Sequence, residues 1–339
     1  MAQDTTIHLI GNAHLDPVWL WRFPDGLSEI KATFRSALDR IAEFPGFVFT
    51  SACISYYSWV EENCPDMFRE IQTAVKDGRW HITGAMWVQP DCNIPSPESF
   101  ARHFLYSQRY VREKFGVTVE TGYNVDSFGH NGALPKLLIE GGLKNYLYMR
   151  PSEGNEMHYD FPEAAITRTD ADGNTVTEQR PELTFRWRCG TDEVLAYRLP
   201  EPYCLRFNND EQLVRWDAYA KDAPMDFMLF YGVGNHGGGP TITNLREIEK
   251  YQQKAAHRFV YSDPDTFFRR IRENEYGRLP VYEGDLQNHA SGCYSANSGV
   301  KTANALSEDR LTEAEKWQVM ANALLCQNST PAVVEELWK

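Results

Sequence analysis

The sequence predicts an α/β fold with a mainly parallel sheet or an incomplete β/α barrel, followed by the start of a helical bundle. Short apolar runs of strand length alternate with longer amphipathic stretches, which is the pattern of strands joined by crossover helices. Chemically distinctive residues stand just after several of these runs, where such folds carry their functional loops. After about Ser307 the apolar residues fall at helical spacing instead.

The first strand is expected over Ile7–Asn12, from the run IHLIGN, and Pro17 prevents its continuation. Strand-like runs recur at Phe47–Ser51, Trp80–Thr83, Val119–Val125, Tyr146–Met149, Asp226–Tyr231 and near Val281. Helical stretches such as Ser28–Ala42, Cys64–Asp77 and Ser99–Phe115 separate them. From Ala133, the residues Leu134, Leu137, Leu138 and Ile139 form an apolar helical face that stops at Gly141-Gly142. Residues 152–183 break the alternation: they are polar, and the ADGNT turn between ITRT and VTEQ suits a small hairpin. Their charges read as a solvated surface or as a lid. In the last segment Ser307 is a candidate cap, and Leu311, Ala314, Trp317, Ala321, Leu324 and Leu325 read as a helix packing its apolar face. The expected division is an α/β catalytic domain over 1–306 and the beginning of a helical domain over 307–339. The chain ends as PAVVEELW opens another helical pattern, so it reads as the N-terminal part of a longer protein.

Composition narrows the function. The 34 Lys and Arg against 47 Asp and Glu give a net charge of −13, which argues against nucleic acid or an anionic membrane as partner. No run approaches the roughly 18 apolar residues of a membrane helix. No basic segment precedes the first strand as in a signal peptide, and the seven cysteines are odd in number and lack a CxxC. Free thiols in a cytoplasmic protein are the expectation, and a homo-oligomer is admitted.

Three segments carry candidate chemistry. His14 and Asp16 are two apart at a strand end, so their side chains project to one side. Imidazole nitrogen and carboxylate oxygen are donors that a zinc-like ion takes, although HxD alone reads first as an ordinary hydrogen-bonded pair. Trp19, Trp21 and Phe23 follow, either as core or as the wall of a sugar pocket. In GYNVDSFGHNGALP, Asp126 stands at a strand end ahead of Phe128, with Gly129 and Gly132 suited to a tight turn against a ligand. In EGDLQNHASGCYSANSGVK, His289 lies in a loop of small polar residues with no amphipathic period to bury it. Together His14, Asp16, Asp126 and His289 suit one divalent ion.

The runs NAHLDPVW, YNVDSFGHNGALPKLL, YGVGNHGGGPT and LQNHASGCYSANSGVK resemble, in order, signature segments of the retaining α-mannosidases of glycoside hydrolase family 38, especially the bacterial and cytosolic branch. The resemblance spans roughly residues 7 to 325. It implies zinc held by His14, Asp16, Asp126 and His289, with Asp126 also the nucleophile. It further implies Trp19 stacked on the mannose ring, Phe128 in the same pocket and Arg150 supporting the nucleophile. Co²⁺ or Mn²⁺ suits the same donors. The implied substrate is a mannoside or oligosaccharide. The sequence departs from the pattern at the general acid: where cytosolic relatives carry aspartate, this chain has Asn235, followed by His236. His236 is the first candidate for acid/base, with Asp91 and Asp285 as further carboxylates. Two other readings stay open: a metal-dependent carbohydrate deacetylase-type hydrolase, and a non-catalytic mannose-binding domain suggested by Asn235 and the early end of the chain.

Overall fold

In a computed structural model of the protein, residues 5–150, 183–234, 236–287, 290–325 and 332–338 are described, with the backbone alone for 163–169 and 175–181. The first half runs β1 (Thr6–Asn12), α1 (Phe23–Glu43), β2 (Phe49–Ser51), α2 (Ile54–Asn63), α3 (Pro65–Lys76), β3 (Trp80–Ile82), α4 (Pro97–Phe115), β4 (Thr121–Asn124), α5 (Leu134–Glu140) and β5 (Asn145–Tyr148). It continues with β6 (Glu163–Thr169), β7 (Thr175–Pro181), β8 (Thr184–Cys189), β9 (Asp192–Arg198), α6 (Glu211–Ala220) and β10 (Phe227–Tyr231). Then come α7 (Ile242–Gln252), β11 (Arg258–Tyr261), α8 (Pro264–Asn274), β12 (Val281–Glu283), α9 (Ser298–Leu325) and α10 (Ala332–Trp338).

Two five-stranded sheets result among the described residues, mainly parallel as the alternation predicts. One has the order β10-β1-β2-β3, all parallel. β11 pairs the first half of β1, where Thr6–Leu9 face Arg258–Tyr261, and β2 pairs Gly11 and Asn12. The other has the order β12-β8-β9-β5-β4, in which only β8 and β9 are antiparallel. β1 is buried along its whole length, as befits a central parallel strand covered on both faces.

Two seams join the sheets into an incomplete barrel. At one, the Gly84 N–H donates to the Thr121 carbonyl at 2.8 Å. At the other, the Tyr197 hydroxyl on β9 lies 2.8 Å from both the N–H and the carbonyl of Met228 on β10, substituting for a neighbouring strand.

Helix α8 closes the end where the strands begin. Arg270 donates to Asp226 at 2.7 Å ahead of β10, Arg272 donates to Asn145 at 3.0 Å at the start of β5, and the Thr121 hydroxyl at the start of β4 donates to Asp265 at 2.5 Å. Phe267 is fully buried, its ring 5.5 Å from His8 on β1 and 5.0 Å from Tyr197 on β9. This end is shut, and chemistry is left to the opposite end. Phe267→Ala is expected to destabilise the protein by about 3–5 kcal/mol in denaturant melts. A change within about 0.5 kcal/mol, the range of a surface substitution, would show that the ring is not the plug.

The polar segment does contain a hairpin-like pair: β6 and β7 are antiparallel, with Thr169 opposite Thr175. The C-terminal helix differs from expectation. It begins at Ser298 rather than near Ser307, and its apolar residues are not packed: Trp317 is 68% and Leu324 84% exposed. α9 meets α4 through charge instead. Glu308 accepts from the Ser99 hydroxyl at 2.6 Å, and Glu315 accepts from Arg102 at 2.8 and 2.5 Å. That polar seam sets which side of α9 faces the barrel. Among the described residues no helix is long and apolar enough to cross a membrane, and Cys53, Cys64, Cys92, Cys189, Cys204 and Cys293 are free thiols.

Candidate functional site

The loops that follow β1, β3, β4, β5 and β9 converge at the end where the strands finish, because the parallel strands all point there. Past β1, His14 and Asp16 project together, with His14 Nε2 3.3 Å from Asp16 Oδ1. Past β4, Asp126 brings Oδ2 to 3.7 Å from the same nitrogen. Ligand atoms of all three residues lie within 4.8 Å of one another. Residues 110 apart in sequence thus form one cluster, as two strand ends of different sheets must if the barrel closes.

His14 is 4% exposed, and its Nε2 has no hydrogen-bond partner. A buried imidazole nitrogen without a partner is costly unless something else satisfies it. Facing two carboxylates, it is placed as a cation ligand would be. One nitrogen and two carboxylate oxygens form a donor set that Zn²⁺ accepts, so the residues present fit a divalent ion.

Around this cluster lies a cavity of about 470 Å³ lined by Trp19, Asp91, Phe128, Arg150 and Tyr203 among others. Trp19 is 61% exposed, so the core alternative for it does not hold; its ring meets the edge of Trp21 at 5.6 Å. The Trp21 indole N–H donates to the Asp16 carbonyl at 3.0 Å, which ties the aromatic wall to the metal-type ligands. Arg150 Nε donates to Asp126 Oδ1 at 2.5 Å, and its guanidinium lies 5.6 Å from the centre of the Phe128 ring. Asp126 is therefore held from both sides, by Arg150 on one oxygen and opposite His14 with the other.

His130, Gln89 and Tyr203 also stand at the site, although no local sequence pattern marks them. His130 is fully buried, and burial lowers its pKa to about 4. The neutral ring spans the Tyr146 hydroxyl at 2.7 Å and the Arg150 carbonyl at 2.8 Å, so it anchors the arginine that holds Asp126. Tyr203 packs on His14 with ring centres 4.6 Å apart, and its hydroxyl pKa is raised by burial and by the nearby charge of Asp126. Neither could be found from local sequence, since each owes its place to contacts with distant strands.

The glycines near Asp126 serve packing against the chain itself. A Cβ on Gly129 would collide with the Gln287 side chain, and Gly132 N–H donates to Asp285 at 2.5 Å. His130 and Leu286 exchange backbone hydrogen bonds of 2.8 Å each. These contacts seat the segment leading to His289 beside the Asp126 loop; His289 itself lies outside the described residues, as does Asn235. His236 is not in the cavity lining. Its ring lies tilted against Trp21 with centres 4.4 Å apart, is 59% exposed, and has Nε2 3.9 Å from Glu29. Asp285 is likewise outside the lining, whereas Asp91 is within it.

The glycosyl hydrolases family 38 N-terminal domain profile matches residues 4–285. The chain belongs to glycosyl hydrolase family 38. Alpha-mannosidase G of Dictyostelium discoideum is 28% identical to this family 38 domain over 314 residues, 92% of the chain but 27% of that relative. The chain therefore spans little more than a quarter of the length of that relative. In structure, an alpha-mannosidase from Enterococcus faecalis V583 superposes on the family 38 domain with a TM-score of 0.64 at 16% identity, covering 83% of this chain and 31% of that one. A 4-alpha-glucanotransferase from Thermococcus litoralis superposes with a TM-score of 0.58 at 13% identity, covering 92% and 44%. The fold is thus shared with enzymes of other named reactions, and the side chains must distinguish them.

Proposed function

We propose that this domain carries the active site of a retaining α-mannosidase that removes terminal α-linked mannose from oligosaccharides. The observation that supports it most is the convergence of His14, Asp16 and Asp126 beside Arg150, within a cavity walled by Trp19 and Phe128, in a chain of family 38. His14, Asp16 and Asp126 would hold a divalent ion, taken as Zn²⁺, with His289 as the fourth ligand expected from the sequence. When bound, the ion supplies a template for vicinal sugar hydroxyls and stabilises charge on the ring.

Mannose carries an axial 2-hydroxyl that crowds its anomeric carbon, so orientation of the ring matters to attack. Trp19 and Phe128 offer it apolar faces, and Arg150 fixes the direction of Asp126. Asp126 attacks the anomeric carbon as the bond to the leaving oxygen breaks, giving a covalent glycosyl-enzyme. A second group protonates the departing oxygen and later takes a proton from the water that releases the sugar. Asp91 is assigned that role ahead of His236, because Asp91 shares the cavity with Asp126 and His236 does not. Its Oδ1 accepts from the backbone N–H groups of Asn93 at 2.8 Å and Ile94 at 2.9 Å, which fixes the carboxyl and leaves Oδ2 outside that pair of bonds.

Hydrolysis of an aryl α-mannoside by the purified protein, with the first-formed anomer read by NMR, tests the reading: α-mannose is expected. Release of acetate from an acetylated sugar without glycoside cleavage would favour the deacetylase alternative, and mannose binding without turnover the binding-domain alternative. Asp91→Asn is expected to slow mannosides with poor leaving groups by about 10²- to 10⁴-fold while sparing activated aryl mannosides. The same leaving-group dependence in His236→Gln, with Asp91→Asn at wild-type rates, would return the role to His236.

A further inference from the structure

We infer that Gln89 is a positioning residue that fixes the tautomer of His14; the inference rests on the metal reading of the His14 cluster. The two ring nitrogens of His14 have different duties. Nε2 lies opposite Asp16 and Asp126, so to ligate an ion it must present a lone pair there, and the single proton of the neutral ring must then sit on Nδ1. A metal-ligating imidazole commonly gives that proton to an acceptor behind it. Behind Nδ1 stands Gln89, with its amide nitrogen 3.2 Å away.

The amide as placed turns its nitrogen toward the ring. Its nitrogen also lies 3.7 Å from Cys53 Sγ, while its oxygen is buried with no hydrogen-bond partner. With nitrogen toward the ring, the amide suits the tautomer whose proton is on Nε2, and that tautomer has no lone pair for an ion. A half turn of the amide exchanges two ends of nearly equal size. The oxygen then meets Nδ1–H and becomes satisfied, and it also faces Cys53, whose buried thiol is kept protonated by desolvation and is a weak donor. The orientation of the amide therefore selects the tautomer, and the orientation that satisfies its buried oxygen is the one that holds the proton on Nδ1 and leaves Nε2 its lone pair.

The loop that carries Gln89 is itself held. Ile54 N–H donates to the Met86 carbonyl at 3.1 Å and Ser55 N–H to the Trp87 carbonyl at 2.9 Å. Ala85 and Cys53 both adopt left-handed backbone, at φ 51° and 66°, which non-glycine residues rarely accept. The structure thus maintains backbone strain in the two loops that bring Gln89 and Cys53 behind His14.

The test is zinc affinity, measured by competition with a chromophoric chelator, in wild type, Gln89→Met and Gln89→Glu, with melting of the metal-free proteins as the folding control. Methionine keeps the length of glutamine but can neither donate nor accept strongly, and is expected to weaken zinc by about 10- to 100-fold. Glutamate accepts at both ends, and is expected to bind at least as tightly as wild type. Visible absorption of the cobalt-loaded proteins should shift in Gln89→Met and be restored in Gln89→Glu. Wild-type affinity in Gln89→Met, or equal loss in both variants, would overturn the inference alone. Failure of wild type to bind zinc would overturn the metal reading and this inference with it.

Discussion

Asp126→Asn is expected to reduce turnover of an aryl α-mannoside by at least about 10⁴-fold, the order lost when a covalent nucleophile is removed from an enzyme whose other groups remain. The substitution keeps the shape of the side chain, so Phe128 and Arg150 retain a neighbour of the same size. It replaces an oxygen nucleophile by a neutral amide, and the amide either turns its N–H₂ toward Arg150 Nε, 2.5 Å from Oδ1 in the parent, or turns it toward His14. Either orientation places a donor where an acceptor stood. The same change removes charge from the metal cluster, so zinc content must be followed in parallel. A smaller variant, Asp126→Gly, distinguishes the two causes: with azide added, the gap admits an external nucleophile, and β-mannosyl azide is the expected product. Turnover at the wild-type rate in Asp126→Asn would sink the nucleophile assignment.

Much of the scaffold beneath Asp126 was legible in the sequence because strand and helix periods are local. The run Ile7–Asn12 is β1 but for one residue, and Asp226–Tyr231, Trp80–Thr83 and Tyr146–Met149 each match an observed strand to within a residue at either end. β8, β9 and β11 are not legible in the same way. In the FRWRC and EVLAYR runs, arginines and glutamate interrupt the apolar signal, and they do so because they pair across strands: Arg188 donates to Glu193 at 3.0 and 2.7 Å. β11 is only four residues long, and its position against β1 depends on where β2 leaves that strand. Helix α8 was also missed, and its role as the closing helix rests on Arg270, Arg272 and Phe267 meeting three separate strands.

The site divided along the same line. His14 with Asp16 and Asp126 with Phe128 are short-range pairs after strand ends, so the sequence exposed them. His130, Tyr203 and Gln89 touch residues 20, 189 and 75 positions away: Arg150 for the first and His14 for the other two. Such partners are set by barrel closure, which no local period encodes. His236 shows the converse. Its residue type suits an acid, whereas its neighbours Trp21 and Glu29 and its place outside the cavity lining are set by contacts that residue type does not encode.

His14→Ala is expected to remove bound metal from the purified protein. Wild type should contain about one zinc per chain by elemental mass spectrometry, the usual stoichiometry of a single tetrahedral site, and the variant essentially none. The imidazole is the one nitrogen donor in the cluster of His14, Asp16 and Asp126, and the only one of the three ligand residues that is buried. Its loss leaves two carboxylates facing a gap, with Arg150 against one of them. Stability gives a second readout, because an ion that binds only the folded chain raises stability by about 2.7 kcal/mol at a hundred times its dissociation constant. Added zinc should therefore raise the melting temperature of wild type and leave His14→Ala unmoved, while the two metal-free proteins differ far less. If neither protein responds to zinc, cobalt or manganese, the orphaned Nε2 of His14 is satisfied by its carboxylates as an ordinary ionic hydrogen-bonded group, and the domain loses the feature that ties sugar orientation to Asp126. If wild type alone responds, the segments after β1 and β4 make one metal site, and the orientation of the mannose hydroxyls becomes the next property to measure.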